Sequence, residues 1–189
     1  MADAVRTTIA SAASPPKRRT VDEQLLVRWP GLYLRLARAF ERMSPRSKIR
    51  RYFLRRGVVS TWRAWSRGDL DLVLGRYAQD AELHAIPNMI ATGMDRTYEG
   101  HAGIRRLAAD WGEAWGEMSV APLEVWDFGD CAMTYARGRV QARGLEIGFE
   151  YDVHSVVWWR RGLVVRHRDF TSREEALRAI DAESAAASP

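Results

Sequence analysis

The chain has 189 residues, 47% of them hydrophobic and 28% charged, which suits one ordinary globular domain with an extension. Its net charge of +5 conceals a division, because residues 1–67 carry 16 Lys and Arg against 4 Asp and Glu (+12) while the remainder carries 13 against 20 (−7). The basicity therefore belongs to the leading third and gives no support to a nucleic-acid enzyme, and the single Cys131 excludes an internal disulfide and a multi-cysteine metal site.

In chain order, residues 1–20 are rich in Ala, Ser, Thr and Pro and are expected to form a disordered tail. They lack the apolar core of a signal peptide, and no apolar run in the chain approaches the ~18 residues of a membrane span, so the expected location is cytoplasmic. Residues 21–56 read as a basic, amphipathic helical extension. A helix is predicted from about Pro30 to Met43, with Trp29, Tyr33, Leu36, Phe40 and Met43 on one stripe and arginines elsewhere. Ser44-Pro45 has the pattern of an N-cap followed by proline at the first helical position, ahead of the basic run Arg46–Arg56. Such a hairpin either makes a peripheral membrane or protein contact, or packs its stripe on the main domain or a second subunit.

Regular patterning starts near residue 57 and lasts to about 180, followed by a flexible tail over 181–189. Val58, Trp62 and Trp65 mark a helix ending at Gly68; Leu70, Val73, Leu74 and Tyr77 mark a short second one. Ala81–Ile86 reads as a strand, and Ile104, Leu107, Trp111 and Trp115 as one face of a third helix. Four long strands follow, at about 118–126, 131–142, 146–159 and 163–170, separated by Gly129-Asp130, Arg143-Gly144 and Arg161-Gly162. A short helix with an acidic start closes the domain. Helices first and an antiparallel meander last define an α+β class.

In the last strand, alternation places Leu163, Val165, His167 and Asp169 on one face and Val164, Arg166, Arg168 and Phe170 on the other. An imidazole and a carboxylate thus share a face with aliphatic side chains. The face is either a cavity wall suited to proton transfer or a solvated strand end. No HxxxH, HExxH or CxxC spacing, phosphate loop or nucleophile elbow occurs, so neither a metal nor a cofactor is expected.

Three stretches carry a family resemblance: Trp65–His84, Tyr98-Glu-Gly-His-Ala-Gly-Ile104 and Gly162-Leu-Val-Val-Arg-His-Arg-Asp169. Together they resemble SnoaL-like domains of the nuclear transport factor 2-like superfamily, whose members include polyketide cyclases, ketosteroid isomerases and limonene epoxide hydrolases. The resemblance implies a cone: a strongly curved antiparallel sheet wrapped on three helices around a deep apolar pocket, commonly in a homodimer. It implies a small apolar molecule as partner and, where such domains are catalytic, isomerase or cyclase chemistry without a cofactor; non-catalytic ligand-binding or dimerisation modules share the fold.

Asp169 matches the acid/base aspartate near the end of the family's last strand. Arg137 matches an arginine of the hydrolases, with Cys131, Met133, Tyr135, Arg137 and Arg139 read as the pocket face of their strand. Arg139 stands where those hydrolases carry an aspartate and Ile86 where they carry a tyrosine, which disfavours epoxide hydrolysis. His154 falls near a histidine that cyclases set opposite their aspartate, although either face of its strand is apolar enough to look inward. Asn88 resembles a water-orienting asparagine and equally suits a turn. His84, His167, Trp111 and Trp115 are candidate wall residues, and Tyr135 and Tyr151 candidate donors to a substrate carbonyl.

Overall fold

A computed structural model describes residues 4–9, 18–86, 95–142 and 148–186. Among them are seven strands and six helices: β1 Val5–Thr8, α1 Val21–Arg28, α2 Pro30–Glu41, α3 Lys48–Ser66, α4 Leu70–Leu74, β2 Tyr77–His84, β3 Thr97–Glu99, α5 Gly100–Ala114, β4 Trp115–Asp127, β5 Cys131–Ala142, β6 Gly148–Arg160, β7 Leu163–Phe170 and α6 Arg173–Ala186. One curved, unclosed sheet takes the strands in the order β1-β4-β5-β6-β7-β2-β3. The long strands pair antiparallel as the meander predicts, but β2 joins β7 in parallel, the chain between them running through β3, α5 and β4–β6. The α+β cone expected from the sequence is the fold observed.

Local chemistry sets the boundaries. Ser47 Oγ accepts from the Arg50 amide and starts α3, and Asp69 Oδ1 accepts from Leu72 N and starts α4. Arg161 (φ 58°) and Gly162 (φ 83°) are both left-handed, the geometry of the tightest β6–β7 hairpin. Helices α3, α4 and α5 fill the concave side: Ala64, Leu72, Leu74, Ile104 and Leu107 pack with Tyr77, Ala81 and Leu83 of β2. Helix α6 covers the opposite side, seating Ala176 and Ile180 on Cys131, Met133, Val156 and Trp158.

The leading third departs from expectation. Val5–Thr8, placed by composition in a disordered tail, pairs with Glu124–Asp127 at the sheet edge. Residue 56, the anticipated end of the extension, lies inside α3, which runs unbroken from Lys48 to Ser66. Helix α1, absent from the sequence reading, buries Leu26 to 2% exposure in the core, worth about 2 kcal/mol. Arg50 ties the α2–α3 hairpin to the sheet: its guanidinium is bidentate to Asp127 at 2.7 and 2.8 Å, and it also donates to the carbonyls of Glu41 and Met43 at 2.8 Å. The extension is therefore integral to the domain.

Candidate active site

β7 sets the site. Ser155 on β6 stands directly across from Asp169, and Leu83 on β2 across from His167, so strand register brings three elements to one point on the concave face. His167 Nε2 lies 3.0 Å from Asp169 Oδ1, and Ser155 Oγ donates to the same oxygen at 2.5 Å. On its other side, His167 Nδ1 lies 2.7 Å from the Tyr77 hydroxyl. Burial, reinforced by the Asp169 charge, pushes the Tyr77 phenol well above its ordinary range, so it stays protonated and donates. Nδ1 is then the acceptor and Nε2–H the donor to Asp169, one consistent tautomer along the chain Tyr77–His167–Asp169. No hydrogen bond among the described residues reaches Asp169 Oδ2.

Asp169 and His167 line a cavity of about 480 Å³ enclosed by α3, α5 and the sheet, with Trp62, Trp65, Trp111, Trp115, Met118 and Tyr151 among its walls. The histidine is 7% exposed and the aspartate 15%. Tyr151 lies flat against Gly138, whose place a Cβ would contest, and burial together with the Asp169 charge raises its phenol, keeping it a donor. The indole N–H of Trp115 is buried and makes no hydrogen bond among the described residues, so it is an unspent donor in the wall. Arg105 adds a guanidinium to the lining.

Five of the anticipated residues gather here: Asp169, His167, Tyr151, Trp111 and Trp115. Arg137, Tyr135 and His154 do not. They stand on the outer face of β5 and β6, because the inward positions of β5 are Thr134, Ala136, Gly138 and Val140. Arg137 pairs with Asp152 at 3.1 Å, where both side chains are about half exposed (53% and 49%). Tyr135 donates to the same Asp152 and stacks on His154, whose burial lowers its basicity. The anticipated Arg137–Asp169 pair is thus replaced by Arg137–Asp152, and the outer face gains its apolar character from α6 rather than from a pocket. His84 also points outward, bonded to Glu82. Asn88 lies outside the described residues.

Tyr77 and Ser155 were missed. Tyr77 fits the apolar spacing of the short helix, yet Gly75 ends that helix and Tyr77 opens β2. Ser155 shares the face of Tyr151 and Val153 on a strand whose two faces are equally apolar. Among the described residues no group of three or more His, Cys, Asp or Glu assembles as for a metal, and no helix is long and apolar enough to cross a membrane.

A curved, unclosed sheet wrapped on helices is the arrangement of nuclear transport factor 2-like proteins. Within them the chain belongs to the SnoaL-like domain family, whose model matches residues 58–167. Similar solved structures include TerC co-crystallised with polyporic acid (23% identity, 67% of this chain and 96% of that one, TM-score 0.55). Another is an NTF2-like protein of unknown function from Burkholderia pseudomallei (24% identity, 65% and 93%, TM-score 0.56). A third, from Catenulispora acidiphila, has a ketosteroid isomerase-like fold and was solved with trimethylamine (16% identity, 65% and 89%, TM-score 0.53). No curated protein matches this chain.

Proposed function

We propose that the protein binds a small, mostly apolar molecule in the concave cavity and isomerises or cyclises it by proton transfer through Asp169, without a cofactor. The observation that carries this reading is the Tyr77–His167–Asp169 chain ending at an open cavity wall. His167 and Ser155 both engage Oδ1, so Oδ2 keeps the lone pair that takes a proton from carbon α to a carbonyl. The electron pair left behind moves onto the carbonyl oxygen, where the Tyr151 O–H or Trp115 N–H stabilises it. Asp169 then returns the proton to a different carbon, or the enolate carbon adds to a second carbonyl of the same molecule, whose π electrons pass to its oxygen and take the proton from Asp169. Arg137 and His154 have no part in these steps.

The test is deuterium exchange at the α-carbons of a panel of bicyclic aryl ketones and 1,3-diketones in D₂O, followed by NMR. Wild-type protein accelerates exchange for at least one probe, and Asp169→Asn loses about 10²–10⁴-fold of it. Equal exchange with and without the Asp169 carboxylate overturns the reading.

A second reading, a binding module that docks on anionic lipid, is favoured by α2 and α3. They leave Trp29, Leu32, Leu36, Ile49, Tyr52 and Phe53 exposed beside the exposed cations Arg35, Arg42, Lys48 and Arg55. Apolar anchors ringed by arginines complement a negatively charged bilayer. Co-sedimentation of the full chain with phosphatidylserine vesicles, abolished by Leu36→Glu with Ile49→Glu, supports it. Equal capture by neutral phosphatidylcholine vesicles, or none by either, removes it.

A further inference from the structure

A second chamber lies on the far side of Trp62, Trp65 and His167, which form a wall common to both cavities. It measures about 210 Å³ and sits between α2, α3 and the sheet, its apolar surface supplied by Tyr33, Phe40, Phe53, Val58 and Trp159. Charged groups on its wall are Glu41, Arg50, Arg76 and, when protonated, His167. Two of them are already engaged. Arg50 is bidentate to Asp127, and Glu41 accepts from the backbone amides of Arg161 and Gly162.

Arg76 differs. It is 9% exposed and has no carboxylate within ion-pair distance among the described residues. Nη1 donates to the Tyr33 hydroxyl and Nη2 to Ser60 Oγ, each at 2.9 Å, and Nε is buried with no partner. Its Cζ lies 5.5 Å from the centre of the Tyr33 ring, and Gly57 leaves the space that Nη1 occupies. The surrounding ionic groups do not neutralise it. Glu23, fully buried, accepts from Ser60, Arg67 and the Thr20 amide, and Asp69 accepts from Arg19 and Arg67. Neither carboxylate bonds Arg76 directly, Glu23 reaching it only through Ser60, and an arginine does not shed its proton to relieve an unpaired charge. An uncompensated cation in an apolar site is costly, and the usual resolution is a bound counter-ion.

We infer that this chamber is a binding site for a small apolar carboxylate, with its head group on Arg76 and its body among the aromatic walls. Both parts of that ligand are specified by the site. The Arg76 guanidinium lines the chamber with no carboxylate partner among the described residues, which suits a carboxylate head group, and the walls favour an apolar body. Glu41 on the same wall disfavours a second negative charge, which selects monocarboxylates. A cavity of about 150 Å³ holds benzene, so 210 Å³ accommodates a single ring with a short acidic arm. The chamber shares only Trp62, Trp65 and His167 with the cavity that Asp169 lines.

Titration of the full chain with phenylacetate, read by tryptophan fluorescence and by thermal shift, tests this, with phenylacetamide as the neutral isostere. Saturable phenylacetate binding at least tenfold tighter than the amide is expected, with a tenfold or greater loss in Arg76→Gln and no loss in Arg137→Gln on the outer face of the sheet. Ala37→Trp fills the chamber from α2 and leaves the Arg76 charge in place, and it carries the test should Arg76→Gln fail to fold; it also abolishes binding. The inference is overturned by equal binding of acid and amide, by no saturable binding, or by undiminished phenylacetate binding in either Arg76→Gln or Ala37→Trp.

Discussion

Tyr77→Phe removes the hydroxyl at the base of the site, which bonds His167 Nδ1 and also meets the Trp65 side chain. Tyr77 is 3% exposed, and its hydroxyl is the one described partner of His167 Nδ1, in a side chain that is itself 7% exposed. Phenylalanine keeps the ring and its packing but leaves a buried imidazole acceptor without a donor, which costs about 1–3 kcal/mol. No cavity larger than one oxygen forms, so packing contributes little to that figure. The urea midpoint should fall with an unchanged slope, since neither the native nor the unfolded surface changes. A second readout is specific to the tautomer. Long-range ¹H–¹⁵N spectra of wild-type protein should show His167 protonated at Nε2, as donation to Asp169 requires, and Tyr77→Phe should relax that preference. Stability within about 0.5 kcal/mol of wild type, with the tautomer unmoved, would refute the proposed polarity of the chain.

Three further outcomes follow from other contacts. Asp127→Ala strands the buried Arg50 guanidinium and should cost about 3–5 kcal/mol in urea unfolding, much of it recovered when Arg50→Met is added. Gly138→Ala places a Cβ 2.1 Å from the Tyr151 ring, so the ring must leave the cavity wall; a loss of about 1–3 kcal/mol and a changed Tyr151 environment by NMR are expected. Asp69, hydrogen-bonded by Arg19 and then Arg67, has its carboxyl held below the usual range. The stability it supplies is complete above its unfolded value near pH 4 and drains as pH falls through the lower folded value. Asp69→Asn should therefore flatten the pH dependence of unfolding below pH 4, as urea titrations at stepped pH will show.

The long strands, their hairpin glycines and the aromatic faces of α3 and α5 were legible because period-2 and period-3.6 patterns report directly on burial. The orientation of β5 and β6 was not. Cys131, Met133 and Tyr135 are as apolar as a pocket face because α6 packs over them, and alternation does not distinguish a helix-covered outer face from a cavity wall. That ambiguity carried Arg137, Tyr135 and His154 to the wrong side. His167 and Asp169 were found because only one face of β7 combines them with aliphatics, whereas Tyr77 acts from a strand distant in sequence and Ser155 sits on a strand whose two faces are equally apolar. The bounds of the extension were missed for a related reason: α1 and α2 dock through close approaches to Gly75 and Gly162 that local periodicity does not encode.

The most direct test of the account compares α-carbon deuterium exchange by wild type, Asp169→Asn and Arg137→Gln on the same ketone probes. Exchange that disappears in Asp169→Asn and persists in Arg137→Gln is predicted. Exchange that survives loss of Asp169 but fails with Arg137→Gln would move the chemistry to the outer face and contradict it.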